Sequence, residues 1–569
     1  MSKQGTQKTK EDMSRRGFLK ASGLAMGTMA LGLTAGCGDN VTRIGSSSNT
    51  TTDPNLPAAW DAEADVVIVG FGGAAAAAMI TNKEKGINAK LLVLEAQDED
   101  KKPIGQRVYA PSTYKCGGGT WLGAGTADQT ASGFTETADE FYTTTLAAVG
   151  VGGDAALIKA YSENIAEVYS MLKDAGVTYG NYQPLYTSPP SGGVLIYGNE
   201  RRLVRDGKTS KAVPHMHMAE KKKDANGNYL GTTAGNTLWV ALETKALASM
   251  GTNDKVLYNT RATRLITNAD GRVVGVAAVK TKAGETDDNG VPVVDESTTY
   301  YYKAKKAVLF CNGGFINNKD LLELYQPKSA LCNGGQVPSY AGNCMDIGTG
   351  LLMGQAIGAG TKSLNNAENW CPIYYETNNF VKAIIVNPSG ERFAPEDLSG
   401  SEMGAWIVNT YPSAWIIFDQ KIYDSIGAAT AQYLVTHSAN TIDELATKIS
   451  APYLGQTLAR YNTFAAAGKD DQFNKDPSVL QKIETGPFYA YKREINRVFA
   501  QTTGGLRINP KSQVLTAKGS VITGFYAAGS VTANVNSQYY VGGGSTSGAF
   551  AFGRIAIQQI AKETAWDAS

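Results

Sequence analysis

The stretch Ala64–Ala78, ADVVIVGFGGAAAAA, decides how the rest of the chain is read. Val66, Val67, Ile68 and Val69 are β-branched in a row, the pattern of a strand covered on both faces. Glycines follow at once, then a tract of alanines that reads as a helix from Ala74 to about Lys85. Lys90–Ala96, KLLVLEA, is a second strand, so the whole segment is a βαβ unit. Gly70, Gly72 and Ala75, with Gly73 between them, fit the pattern G-x-G-x-x-G/A. The first glycine makes the sharp turn, and the second lets the backbone approach a pyrophosphate. The third small residue lets the helix lie close on the sheet, its N-terminal amides toward the phosphates. Glu95, followed by Ala96, closes the second strand, where a carboxylate accepts hydrogen bonds from an adenosine ribose. A glycine pattern alone is weak. Between this strand and this helix it predicts dinucleotide binding.

The chain has 569 residues, too many for one compact core, so two or more domains are expected. Its 53 basic and 52 acidic residues nearly cancel, which gives no support to a nucleic-acid partner. Ser14–Lys20, SRRGFLK, precedes a weakly apolar run that ends at Cys37. Paired arginines, a short apolar segment and small residues at its end describe a twin-arginine export signal over residues 1–37. That implies the twin-arginine translocase as a partner and a periplasmic or extracytoplasmic location. LTAGC at 33–37 also resembles a lipoprotein processing site, so lipid anchoring through Cys37 and simple cleavage nearby both stay open. Five further cysteines contain no CxxC, so neither attached haem nor a cysteine-rich iron–sulfur site is indicated, although Cys332 and Cys344 could bridge. His215 and His217, two apart, have no supporting ligand cluster, and no metal is expected.

Residues 38–60 read as a tether, rich in Ser, Thr and Asn. Lys255–Val279 alternates apolar and polar residues around Asp270-Gly271 and reads as strands of an inserted sheet joined by a tight turn. Lys306–Phe315, KAVLFCNGGF, is another buried strand running into glycines. From about Asn317 to Val498 the pattern becomes mixed helix and loop, after which strand-and-turn character returns. Gly543–Glu563 begins with glycine and hydroxyl residues and continues as a helix. The predicted fold is therefore α/β with an α+β insertion: a Rossmann-like domain (61–330 and 501–569) interrupted by a capping domain at 331–500.

As an ordered set, VVIVGFGGAAAA, VLEA, CGGGTWLGAGT, VLFCNGGF, VNPSGERF, GGLRIN, GFYAAGSV and GGGSTSGAFAFGR resemble the flavoprotein superfamily of fumarate reductases and 3-oxosteroid dehydrogenases. The resemblance covers residues 62–560 and implies bound FAD. It implies FAD contacts at Gly70, Gly72, Gly73, Ala75, Glu95 and Ala96. Further contacts are implied at Gly117, Gly118, Gly119 and Thr120, then at Ala262, Asn312, Gly313, Gly529, Ser545 and Thr546. It further implies hydride transfer at a carbon–carbon bond beside an activating carbonyl, with a proton moved on the neighbouring carbon.

Fumarate reductases of that superfamily clamp two carboxylates with arginines and histidines. Here Gly400 stands where the proton-donating arginine belongs, and the C-terminal stretch reads NVNSQYYVGGGS, with no arginine. That stretch is closer to the 3-oxosteroid dehydrogenases, which bind a ketone oxygen with a tyrosine and a backbone amide four residues later. Tyr539 and Gly543 fall on those places, or Tyr540 if the register slips by one. His217 falls on a histidine seen in many steroid-type members. The steroid 1-dehydrogenases also carry a catalytic tyrosine near position 400, so the proton carrier is open between His217 and another tyrosine: Tyr186, Tyr374 or Tyr375. The resemblance thus implies a small apolar ketone or enone as substrate, in either direction of reaction. A quinone or periplasmic redox protein would be the electron partner. A respiratory enoate reductase using an acceptor other than fumarate is the alternative, and a flavin-carrying protein without turnover is a third reading.

Overall fold

The computed structural model describes residues 55–567, apart from 184–191, 197–198, 329–341, 370, 372, 374–376, 412, 495–498 and 534. The export segment, Cys37, Cys332, Tyr186, Tyr374 and Tyr375 lie outside the described residues. Order is visible a little before the expected start: Leu56 and Trp60 pack on Ile266, Val274 and Ala277. No helix of the described residues is long and apolar enough to cross a membrane.

Val66–Val69 pair in parallel with Ala307–Phe310 on one side and with Leu91–Leu94 on the other. Val521–Ala527 and Lys255–Leu257 extend the sheet outward, again in parallel. Gln513–Leu515 closes one edge antiparallel. The four β-branched residues are all buried, as a central strand covered on both faces requires. The expected hairpin is present: Thr260–Thr267 pairs antiparallel with Val273–Thr286, and Gly271 takes φ +76° at the turn. Its partner strand, Pro292–Phe310, joins the hairpin to the parallel strands, so there is one eight-stranded sheet and not a separate inserted one. Thr299–Lys303 pairs with the hairpin, and Ala307–Phe310 with the central strand.

The alanine tract becomes the helix Gly73–Glu84, and its use is now visible. It packs against the last helix, Gly544–Ile560, so closely that a Cβ on Gly553 would stand 2.2 Å from the Ala74 carbonyl oxygen. A Cβ on Gly73 would stand 2.6 Å from Phe550. The obstacle at Gly553 is backbone, which cannot rotate away. We expect Gly553→Ala to destabilise the protein by about 1–3 kcal/mol, as overpacking does. A urea midpoint equal to that of the unsubstituted protein, at equal slope, would refute this contact.

A second core runs from Cys371 to Ala490 around Phe380, Ile416, Phe418 and Leu445. Over it lies a four-stranded antiparallel sheet in the order Ile384–Val386, Ser413–Asp419, Phe488–Glu494, His437–Ala439. We call this second unit the cap; its core begins at Cys371, later in the chain than residue 331. Leu351 and Met353, on the helix Thr349–Ala356, pack in the first core, as does Ala359. The glycine-rich run Gly342–Gly354 holds a second glycine–hydroxyl helix start, at Gly348–Thr349, inside the stretch 331–500 expected to be the cap.

Candidate active site

The carboxyl ends of the parallel strands open onto a cleft of about 1070 Å³, its solvent-facing mouth included. Gly70, Gly72, Gly73, Glu95, Ala96, Ala262, Asn312, Gly313 and Gly529 line it. Gly70 takes φ +91°, and a Cβ there would lie 2.7 Å from the Cys311 carbonyl oxygen, so no other residue makes this turn without strain. Glu95 is fixed by the amides of Phe71 and Gln97, at 2.7 and 2.9 Å. Asn312 lines the cleft, and its Oδ1 is buried without a hydrogen-bond partner against Gly350, at the start of the helix Thr349–Ala356. The starts of the helices at Gly73 and Thr349 both reach the cleft; the Gly73 amide donates to Thr113 Oγ1 at 3.2 Å, and the other first-turn amides have no partner within their helices. These features fit a dinucleotide.

One residue that organises the cleft was missed. Asp346 is buried and accepts from Ser112 Oγ at 2.6 Å, the Asn343 amide at 2.8 Å and the Gly314 amide at 2.9 Å. It ties three segments around one end of the cleft. Its signal in the sequence was the glycine–hydroxyl run that follows it.

Other expected contacts lie elsewhere. Ala75 is inside the first helix, where its small size serves packing. Gly118, at φ +85°, is pressed on the backbone of Ala234 and Gly235, and Thr120 Oγ1 donates to the His217 carbonyl at 3.1 Å. Gly543, at φ +84°, is the N-cap of the last helix and lies against the Gly119–Thr120 backbone. The Ser545 hydroxyl accepts from Asn536 Nδ2 at 3.1 Å.

Two rails lead inward from the cleft. Ser112 and Thr113 line it, and a turn further on the Cys116 thiol donates to the Thr113 carbonyl at 3.1 Å. On the last helix, Ala549 lines the cleft, and a turn earlier stand Ser545 and Thr546. The rails meet at Tyr540. Its hydroxyl is within reach of the Ser545 amide and the Gln501 side chain, and its phenol feels Glu368 and Cys116. Gln501 Nε2 also donates to Glu368 Oε2 at 2.7 Å, and Ser401 Oγ to Glu368 Oε1 at 3.4 Å. Cys116, Glu368, Gln501 and Tyr540 thus form one group, with Thr546 on the thiol. Burial pushes the Cys116 thiol up to about 11, and burial pushes Tyr540 well above the usual phenol range, so both stay protonated at neutral pH. Burial raises Glu368 to about 7, although it keeps part of its surface accessible.

The two adjacent tyrosines point apart, and this corrects the register taken from the sequence. Tyr539 packs on Gly150, and its hydroxyl reaches Trp406, near the pair Arg202–Glu402. It is half-buried and does not join the Glu368 group. Tyr540 is the inward residue.

His217 is also misplaced by the sequence reading. Gly119 faces Met216 and Met218, so His217, one residue out of phase on that strand, faces the opposite side. There its ring nitrogens meet Thr126 Oγ1 at 3.1 Å and the His215 carbonyl at 3.0 Å, with Tyr179 edge-on. Burial lowers its pKa to about 4, so it is neutral at working pH and has no free nitrogen for proton transfer. His215 is held by Glu136 and Glu200 at 2.8 and 3.2 Å. Among the described residues no cluster of three or more His, Cys, Asp or Glu is placed to hold a metal.

A largely parallel α/β sheet with a ligand cleft at its carboxyl ends, joined to a second core with its own antiparallel sheet, is an architecture of dinucleotide-binding enzymes. Residues 65–547 match the FAD binding domain family, and the chain belongs to that family. The 3-oxosteroid 1-dehydrogenase of Mycolicibacterium smegmatis is 26% identical over 88% of this chain and 98% of its own length. A fumarate reductase (cytochrome) of Shewanella frigidimarina is 28% identical over 54% of each chain. A 3-ketosteroid-Δ4-(5α)-dehydrogenase structure from Rhodococcus jostii, in complex with 4-androstene-3,17-dione, superposes with a TM-score of 0.76 at 27% identity. That match covers 90% of this chain and 99% of the other. The protein is an FAD-dependent oxidoreductase acting on CH–CH groups.

Proposed function

We propose that the protein is an exported oxidoreductase that moves hydrogen across a carbon–carbon bond beside a ketone, in a largely apolar substrate of 3-oxosteroid type. The observation that carries this reading is the charge of the inner site. Glu368 stands beside Tyr540 with neutral partners, and across Gly119 lies the apolar cluster Leu195, Met216 and Met218. A dicarboxylate brought here would meet a carboxylate and no bidentate cation among the residues of that group. A ketone needs only a donor for its oxygen, and the Tyr540 phenol is one. The likeness to a steroid-bound relative over nearly that protein's whole length supports the same substrate class.

Bound FAD supplies the two-electron acceptor or donor. Gly70, Gly72, Glu95, Asn312 and the helix starts at Gly73 and Thr349 would hold its nucleotide part, and Cys116, Gly117, Ser545 and Thr546 its flavin end. Tyr540, held by its buried ring beside Gln501 and Ser545, would donate to the carbonyl oxygen as negative charge grows there. The cap covers this group through Ser401, which limits water access. The paired arginines Arg15 and Arg16 support export by the twin-arginine route and a periplasmic place, with lipid attachment at Cys37 or cleavage nearby. A membrane quinone or a periplasmic redox protein would then exchange the electrons.

The test is an anaerobic spectral titration of the purified holoenzyme with 3-oxosteroids, simple enones and fumarate. Bleaching of the oxidised flavin band by a saturated or partly saturated ketosteroid is the expected result. Reoxidation of the reduced enzyme by an unsaturated acid alone would overturn the ketone reading in favour of an enoate reductase.

A further inference from the structure

We propose that Glu368 is the residue that takes up and returns the proton on the carbon next to the substrate carbonyl; this rests on the ketone reading above. The sequence offered no hint, because the residue sits in Ala367–Trp370, AENW, amid aromatic and polar residues. Its place in the fold is distinctive. The short strand Ala367–Asn369 pairs with Phe499–Thr502, setting Glu368 opposite Gln501 where the chain passes from the first core to the cap.

Glu368 differs from the other interior carboxylates in what holds it. Glu396 is held by Arg392 and Lys475, Glu402 by Arg202, and Asp397 by Arg205. Glu136 and Glu200 share His215, and Glu95 and Asp346 are held by backbone amides. Glu368 has only two neutral side-chain donors, one on each oxygen, and no paired cation among the described residues. Two neutral hydrogen bonds do not compensate an interior carboxylate. Burial therefore raises it to about 7, and Gln501 and Ser401 pull it back only in part. The described titratable groups that face it are Tyr540 and Cys116, and burial keeps both protonated near neutrality. Glu368 is the group of the three that can change charge there.

The geometry couples it to the carbonyl site. Gln501 donates to the Glu368 carboxylate at 2.7 Å and lies close to the Tyr540 phenol, so the amide stands between the donor and the base. A carbonyl held by Tyr540 presents its adjacent carbon toward Glu368. In the oxidative direction the carboxylate takes a proton from that carbon. The C–H electron pair becomes the new carbon–carbon double bond, and the hydrogen on the next carbon leaves with its pair to bound FAD. Saturated ketone becomes enone, FAD is reduced by two electrons, and Glu368 ends protonated. The reverse direction returns both.

The experiment uses holoenzyme variants and reads three quantities: the spectral shift on binding an enone, the single-turnover rate of flavin bleaching by a 3-oxosteroid, and the pH profile of that rate. The unsubstituted protein should bleach faster as pH rises through about 7. Glu368→Gln should keep the enone shift, lose the inflection and slow bleaching by about 10²- to 10⁴-fold, the usual contribution of a positioned base. Glu368→Asp should regain part of the rate. Gln501→Leu, which removes a donor to the carboxylate, should move the inflection to higher pH. Bleaching by Glu368→Gln at the original rate with the original inflection overturns the proposal and leaves the ketone reading standing. If Glu368→Gln fails to retain FAD, an unmoved inflection in Gln501→Leu overturns it instead. Absence of any response of the unsubstituted protein to ketones overturns both.

Discussion

Tyr540→Phe is expected to lower turnover on a ketone substrate by about 10²- to 10³-fold, the cost of removing one donor to a developing oxyanion. The same change at Tyr539 should alter turnover by no more than a few-fold. The contrast follows from the side each ring takes. The Tyr540 phenol is buried beside Glu368 and within reach of Gln501 and the Ser545 amide. Burial first, and then the nearby Glu368 and Cys116, raise its pKa, so it acts as a donor over the whole neutral range and not as a base. Tyr539 is only half-buried and lies near Trp406, itself 36% exposed. The measurement is single-turnover flavin bleaching at saturating substrate, with FAD content checked in each variant. Since the lost bond strengthens only as charge develops, the effect should fall on kcat and leave KM little changed. A larger loss for Tyr539→Phe than for Tyr540→Phe would restore the register first taken from the sequence.

That register error marks where the sequence stops being legible. The strand–glycine–helix unit at Val66–Glu84 could be read because each residue type there has one physical use. β-Branched residues fill a sheet covered on both faces, Gly70 makes a turn closed to a Cβ, and alanines admit a second helix. The nucleotide half of the site followed from it. The inner half did not. Which of two adjacent tyrosines faces inward depends on the phase of the backbone at the last helix, set by the αL turn at Gly543 against Gly119–Thr120. His217 looked available because a histidine beside a basic loop carries no mark of burial, and strand phase alone turned it away. Glu368 and Asp346 become informative only through partners 133 and 234 residues away, which no local pattern contains. The motif Gly390–Phe393, GERF, is illegible for a third reason. It marks a neighbourhood for catalysis in the resemblance, yet its arginine holds the cap together.

Removing that arginine is the second large effect we expect. The Arg392 guanidinium donates from Nε and Nη2 to the two oxygens of Glu396, at 2.9 and 2.8 Å, and from Nη1 and Nη2 to Asp470 at 3.3 and 2.9 Å. Lys475 Nζ stands 3.1 Å from Glu396 and donates to the Ala383 carbonyl at 2.8 Å. All four side chains are fully buried, and their two positive and two negative charges balance. The guanidinium also lies over the Tyr461 ring, 4.9 Å from its centre. Burial alone would raise both carboxyls; Arg392 reverses this and holds Glu396 and Asp470 below their ordinary values. Their contribution to stability is therefore present above the unfolded carboxylate pKa and is lost as pH falls through the lower folded values. Arg392→Met leaves an uncompensated carboxylate in the cap core and should destabilise the cap by about 3–5 kcal/mol. Adding Asp470→Asn, which removes one negative charge, should recover part of that loss. The recovery separates a buried-charge penalty from a simple packing defect, because a cavity left by the guanidinium would not be filled by the second change. Urea unfolding of the single and double variants measures it. A single variant within about 1 kcal/mol of the unsubstituted protein, the worth of a surface pair, would mean that the network is hydrated and that the cap is held by its apolar core alone.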